Sequence, residues 1–287
     1  MIARIVIYLI LIIVLSDLYI DIHYFRKRYH IAWWLRLLWW LPCIGMVIYT
    51  CAMASIQNFA PDNLTWLNTY LFLLGMFVGP KAIFALTSFL GSIVRKYIIR
   101  TNRNWGHYIG VLLGCFAFGV FVYGLTYGIS DIRIRHVDLY FKDLPKSFEG
   151  YRVVHVSDLH LGTFDGWRSK ILKAEMDSIE KQKPDLICFT GDLQNIRPEE
   201  VERMSSFIRQ PMKGTVSVLG NHDYSEYIKG NKREKAIQEA RLVNAERKIL
   251  GWTLLRNQNI CITSPKKESI YICGTENDGK PDRKSVV

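Results

Sequence analysis

The sequence predicts a four-helix transmembrane region over residues 1–129 followed by an α/β domain over residues 130–287. Three observations carry that division. Apolar stretches close to the twenty or so residues that cross a hydrocarbon core recur four times before residue 130. That same part holds ten of the Lys and Arg residues but only three acidic ones, Asp17, Asp21 and Asp62. Beyond residue 150, short runs rich in Val, Ile, Leu and Phe alternate with amphipathic segments, which is the signature of βαβ units.

The apolar stretches cover residues 5–20, 31–54, 70–93 and 108–129. Arg4 before an apolar run also suits a signal peptide, but no small-x-small cleavage site follows, so a retained helix is expected. Basic loops (Arg26-Lys27-Arg28; Arg95, Lys96, Arg100 and Arg103) alternate with a loop over residues 55–68 whose one charge is Asp62. The positive-inside rule puts the basic loops in the cytoplasm, and hence both termini and the α/β domain on the outer, extracytoplasmic side of the cell membrane. Arg133 and Arg135, just past the fourth stretch, pull the other way.

Within the third stretch, Lys81 follows Pro80. It is expected either to sit in the bundle interior paired with a carboxylate or backbone, or to meet an anionic lipid or substrate phosphate where Pro80 opens the helix. Arg36 is expected to snorkel to the headgroups. Trp33-Trp34 and Trp66 fit an interfacial belt, whereas Trp39-Trp40 lies deep for one.

The formal charge of +11 falls mostly in the apolar half, so it points to a lipid bilayer as partner and away from nucleic acid. Six cysteines (Cys43, Cys51, Cys115, Cys188, Cys261, Cys273) are scattered singly, which argues against a disulfide framework and a thiolate zinc site. Cys188 reads as a small core hydrophobe.

In the second half, alternation over residues 131–139 predicts a strand leading into the domain. Runs at 151–156, 185–190 and 215–219 predict buried parallel strands, with helices at 167–182 and 198–209 between them. A basic amphipathic helix over 229–250 with a solvated face follows, then second-sheet strands at 252–255, 259–263 and 270–273.

Just past each of the three buried runs stands a polar signature: Ser157-Asp158-Leu159-His160-Leu161-Gly162, Thr190-Gly191-Asp192-Leu193-Gln194-Asn195 and Gly220-Asn221-His222-Asp223. Ligands bind beyond the carboxyl ends of strands in such sheets. Asp158, His160, Asp192, Asn221 and His222 are therefore expected to converge, and that donor set suits Mn²⁺, Fe or Zn²⁺. Asp192 is suited to bridge two ions. His155, inside the first strand, is read as a packed or sheet-face residue.

The three signatures in order, with Asp158, Asp192 and Asn221 spaced 34 and 29 residues apart, resemble the calcineurin-like metallophosphoesterase superfamily. Its pattern is D-x-H, G-D-x-x-D/N, G-N-H-D/E. The resemblance implies an α/β/β/α sandwich, here incomplete, and two divalent metal ions (Mn, Fe or Zn). Asp158 and His160 would bind the first, Asp192 would bridge, and Asn221 would bind the second. His222 would stabilise the transition state or protonate the leaving oxygen, Asp223 would orient His222, and Asn195 would stand behind the ligands.

The family also draws ligands from later histidines, and His222 is the last in this sequence. Residues 282–287 resemble translated sequencing-adapter sequence, so the natural chain is expected to continue. The function expected is a membrane-anchored, metal-dependent hydrolase of a phosphate ester or pyrophosphate, acting on a phosphorylated small molecule or a lipid-linked substrate. The alternative is a catalytically inactive membrane-bound binding module.

Overall fold

The computed structural model describes residues 2–56, 61, 64–100, 103–228 and 230–277. Expectations for Asp62, for the start of the basic helix at Lys229 and for the closing residues 278–287 fall outside these. Two compact units divide the chain, Met1–Asp131 and Ile132–Val287.

The first unit has four helices long and apolar enough to cross a membrane, Val6–Arg26, Trp33–Ser55, Leu64–Ile99 and Trp105–Ser130. Helix α1 (Val6–Ile20) runs on into a π-helical segment, and α2 is Trp33–Ser55. The third span joins α3 (Leu64–Leu73) and α4 (Gly79–Ile93) through a π-helical segment Leu74–Val78. Pro80 therefore sits in the first turn of α4, where a missing N–H costs little, and the span continues past it. Helix α5 (Trp105–Thr126) turns buried Gly106, Gly110 and Gly114 toward α4, approaching Gly91, Thr87 and Pro80. Small residues at four-residue spacing permit that close backbone approach.

Charges inside this unit are paired. Lys81 Nζ lies 2.7 Å from both oxygens of fully buried Asp17. Of the two expectations for Lys81, the carboxylate partner is the one observed. The Lys81 ammonium also stands 5.1 Å from the centroid of the Trp39 ring, which accounts for a tryptophan so far from an interface. Arg36, expected to reach the headgroups, donates from Nε and Nη2 to the two oxygens of Asp21 at 2.6 and 2.7 Å, a bidentate pair that satisfies the guanidinium.

The second unit is built on a four-stranded parallel sheet in the order β1 (Val153–Val156), β2 (Leu186–Phe189), β3 (Val216–Ser217), β4 (Thr253–Leu254). Three of these are the expected strands. The fourth corrects an expectation, since residues 252–255 join the first sheet and not the second. Thr253 and Leu255 donate to the carbonyls of Thr215 and Ser217, extending the parallel ladder.

A separate antiparallel hairpin pairs β5 (Gln258–Thr263) with β6 (Ser269–Gly274). Its Ile260, Ile262 and Ile272 pack against Leu186, Val216 and Leu255 of the first sheet, with Cys188 among them. No disulfide joins the cysteines. Helices α6 (Ser169–Lys181) and α7 (Pro198–Ile208) bury Ile171, Leu172, Met176 and Ile179, and Val201, Met204 and Ile208, at the spacing expected of amphipathic helices.

Helix α8 (Lys232–Asn244) continues as Ala245–Leu250. Lys232, Arg233, Arg241, Arg247 and Lys248 are exposed as expected of a solvated face, and two of the helix's basic residues are paired, Arg241 with Glu199 and Glu202 and Lys235 with Glu226. The strand expected over 131–139 is not formed. Ile134, Val137, Leu139 and Tyr140 are exposed there, and alternation alone makes no ladder where no described strand edge lies alongside. His155 is on the exposed side of β1, its Nε2 2.8 Å from Thr190 Oγ1.

Beneath the sheet, Ser217 donates to Glu246 Oε2 at 2.6 Å. Burial, then the nearby Asp223 charge, push the Glu246 carboxyl up to about 8. A carboxyl raised in the folded state contributes stability that is fully present below its unfolded pKa and is lost as pH rises through the folded one.

Two predictions follow from these buried charges. In detergent, Lys81→Met should destabilise the full chain by about 3 kcal/mol by stranding Asp17, and adding Asp17→Asn should restore most of the loss, read as thermal midpoints. For Glu246→Gln, the gain in midpoint over the parent should widen from about pH 5 to about pH 8 and level off beyond; a pH-independent difference would contradict a buried, proton-binding carboxyl.

Candidate metal centre

The three polar signatures lie where parallel strands end, and their loops keep the strands' pairing for a few residues more. Asp158, His160 and Leu161 donate backbone N–H groups to the carbonyls of Gly191, Asp192 and Leu193 at 3.0 Å. To pair so closely the loops adopt left-handed backbone, with φ of 56° at Asp158, 44° at His160 and 60° at Asp192. Non-glycine residues held there cost of order 1 kcal/mol each, and such positions cluster at functional sites.

Glycine makes room for the approach. Gly191 has φ of 102°, and a Cβ on it would strike the backbone of Gly220. A Cβ on Gly220 would in turn strike Asp192.

Asp223 ties these loops together. Its buried carboxylate accepts N–H groups from Asp192 (2.7 Å), Leu193 (3.0 Å), Gln194 (3.4 Å) and Gly220 (2.9 Å). Burial raises its pKa to about 6 against the lowering effect of those bonds. This corrects the expectation that Asp223 orients the His222 ring, because its oxygens are committed to backbone. The ring is held instead by the Asn195 carbonyl, 2.6 Å from Nδ1. Glu200 caps the same loop, accepting from the backbone of Asn195, Ile196 and Arg197, while Asn195 Nδ2 donates to Thr163 Oγ1.

A carbonyl oxygen can only accept, so His222 carries its proton on Nδ1 and turns Nε2 free. His160 is arranged alike, with Nδ1 3.3 Å from the Gln194 carbonyl. Its Nε2 lies 3.9 Å from Asp158 Oδ1 and 3.9 Å from Asp192 Oδ2. These separations are too long for hydrogen bonds, and each carboxylate stands close enough to the imidazole for that pair to meet a cation. The other Asp192 oxygen accepts the His222 backbone N–H at 2.8 Å.

His160, Asp192 and His222 each offer a ligand atom, all within 4.8 Å of one another. Asp158, Asp192 and Asn221 line an adjoining cleft of about 300 Å³, which Thr275, Glu276 and Asn277 also line. His160, Asp192 and His222 form the close cluster, Asp158 and Asn221 line the cleft beside it, and Asp223 lies behind as a brace.

Two imidazoles with their outer nitrogens fixed by carbonyls, and carboxylates beside them, fit a divalent transition metal. Among the described residues, a second ion would have oxygens of Asp192 and Asn221. Sequence reasoning missed the Gln194 and Asn195 carbonyls, since main-chain acceptors leave no mark on residue type. It also missed Tyr227, whose ring stacks on His222 with centroids 4.2 Å apart and whose oxygen accepts from Asn221 Nδ2 at 2.9 Å.

The model of the "Probable Calcineurin-like phosphoesterase, transmembrane domain" family matches residues 3–129, and that of the "Calcineurin-like phosphoesterase" family matches residues 151–273. Among curated proteins, the chain is 31% identical over 105 residues to a transmembrane protein with metallophosphoesterase domain of Danio rerio, covering 36% of this chain and 24% of the relative. It is 37% identical over 95 residues to the UDP-2,3-diacylglucosamine pyrophosphatase LpxG of Chlamydia trachomatis, covering 30% and 27%. With the uncharacterized metallophosphoesterase YkuE of Bacillus subtilis it shares 28% identity over 151 residues, covering 50% and 48%. The matches span between about a quarter and a half of those relatives' lengths. No solved structure matches. With one family model on its membrane helices and the other on the domain that carries the three signatures, the chain belongs to the calcineurin-like phosphoesterases, in the group whose α/β domain follows four membrane-spanning helices.

Proposed function

We propose that this chain belongs to a membrane-anchored, metal-dependent phosphoesterase that hydrolyses a phosphate ester or pyrophosphate. The observation that carries this is the meeting of His160, Asp192 and His222 within 4.8 Å at the rim of a cleft lined by Asp158 and Asn221. Asp158, His160 and Asp192 would hold one divalent ion, and Asp192 with Asn221 a second. When bound, such ions polarise a phosphoryl oxygen and acidify a water that attacks phosphorus in line.

The chain's own residues orient and protonate. Asn195 holds Nδ1–H of His222, so Nε2 is the atom from which a proton would pass to the leaving oxygen as its bond to phosphorus breaks. Asp223 acts only through backbone, keeping the loops of Asp192 and Asn221 in register. The membrane helices, together with a relative named for splitting UDP-2,3-diacylglucosamine, support a lipid-linked pyrophosphate as substrate. The basic excess lies mostly in the membrane half, which supports a bilayer over nucleic acid as partner. Loop charges support an extracytoplasmic domain.

A second reading, a catalytically inactive binding module, is favoured by the thin donor set for a second ion. One assay separates the two. The protein at its natural length should hydrolyse an aryl phosphate only with Mn²⁺ added, and Asp192→Asn should lower the rate about a hundredfold or more; no hydrolysis with Mn²⁺ bound would favour the binding module. For orientation, a carboxyl-terminal alkaline phosphatase fusion should be active and a fluorescent protein fusion that needs the cytoplasm dark, the reverse pattern assigning the domain to the inner side.

A further inference from the structure

We propose that Tyr227 is a positioning residue of the metal centre, holding the Asn221 carboxamide with its oxygen toward the cleft. This rests on the metal-site reading above. Asn221 is exposed at the cleft rim, and an exposed carboxamide can present either end. Only the oxygen end can bind a cation, and the outward NH₂ then needs an acceptor. Tyr227 supplies it, its phenol oxygen 2.9 Å from Asn221 Nδ2.

The same side chain meets the neighbouring His222. Its ring lies nearly flat on His222, 29° between planes, while the Asn195 carbonyl fixes the edge of that imidazole. One tyrosine thus touches both functional side chains of the Asn221-His222 pair. An outer partner of this kind changes metal affinity by about 10- to 100-fold. The role assigned to Tyr227 is to act on the ion through Asn221.

The test is Mn²⁺ binding to the full chain in detergent, followed by the electron paramagnetic resonance signal of free Mn²⁺. Tyr227→Phe keeps the ring over His222 and removes only the oxygen. It should raise the Mn²⁺ dissociation constant about tenfold while leaving the metal-free thermal midpoint unchanged. In an Asn221→Ala background the same change should have no further effect, because the group it acts through is gone. Unaltered Mn²⁺ affinity in Tyr227→Phe, or an equal loss in both backgrounds, would overturn the inference while leaving the metal site standing. No Mn²⁺ binding by the unsubstituted chain would instead remove the metal-site reading, and this inference with it.

Discussion

The arrangement of the α/β domain depends on one buried carboxylate. Asp223 gathers N–H groups from the loop after β2 and the loop after β3, and those two loops hold Asp192, Asn221 and His222. Burying an anion is costly, and the rise of its pKa to about 6 reports that cost. The hydrogen bonds offset much of it, and in exchange the strained turn at Asp192 stays where its side chain faces His160. Glu200 repeats the device one loop away, capping Asn195 to Arg197 and so holding the carbonyl that fixes His222.

The membrane unit handles buried charge in a different way. Where the domain's carboxylates meet backbone N–H groups, Asp17 and Asp21 meet cations, because helical backbone has no N–H to spare in mid-span. Each pair joins distant parts of the sequence, Asp17 to Lys81 and Asp21 to Arg36, so the charges fix how the helices pack. Lone charges there would cost several kcal/mol. Paired, they choose one packing over others.

How much of this was legible varied with the range of the interaction. The four spans, strands β1 to β3 and helices α6 and α7 follow from apolar periodicity, a local property. Trp252 to Leu255 was misassigned because a short apolar run carries no sign of which sheet will take it. Residues 131–139 alternate like a strand, yet a strand exists only with a neighbour to pair with. The charge on Arg36 was visible, but its partner fifteen residues back, Asp21, was not recognised.

At the site, sequence alone determined the donor types and their order: Asp158, His160, Asp192, Asn221 and His222, each just past a strand. It determined this because metal chemistry selects side chains, and side chains are what a sequence records. Only the tertiary structure decided which nitrogen of each imidazole faces inward, that Asp223 braces loops instead of a ring, and that Tyr227 stands behind Asn221. Those decisions rest on main-chain carbonyls, main-chain N–H groups and a stacked ring brought together by folding, and every residue type carries the first two alike.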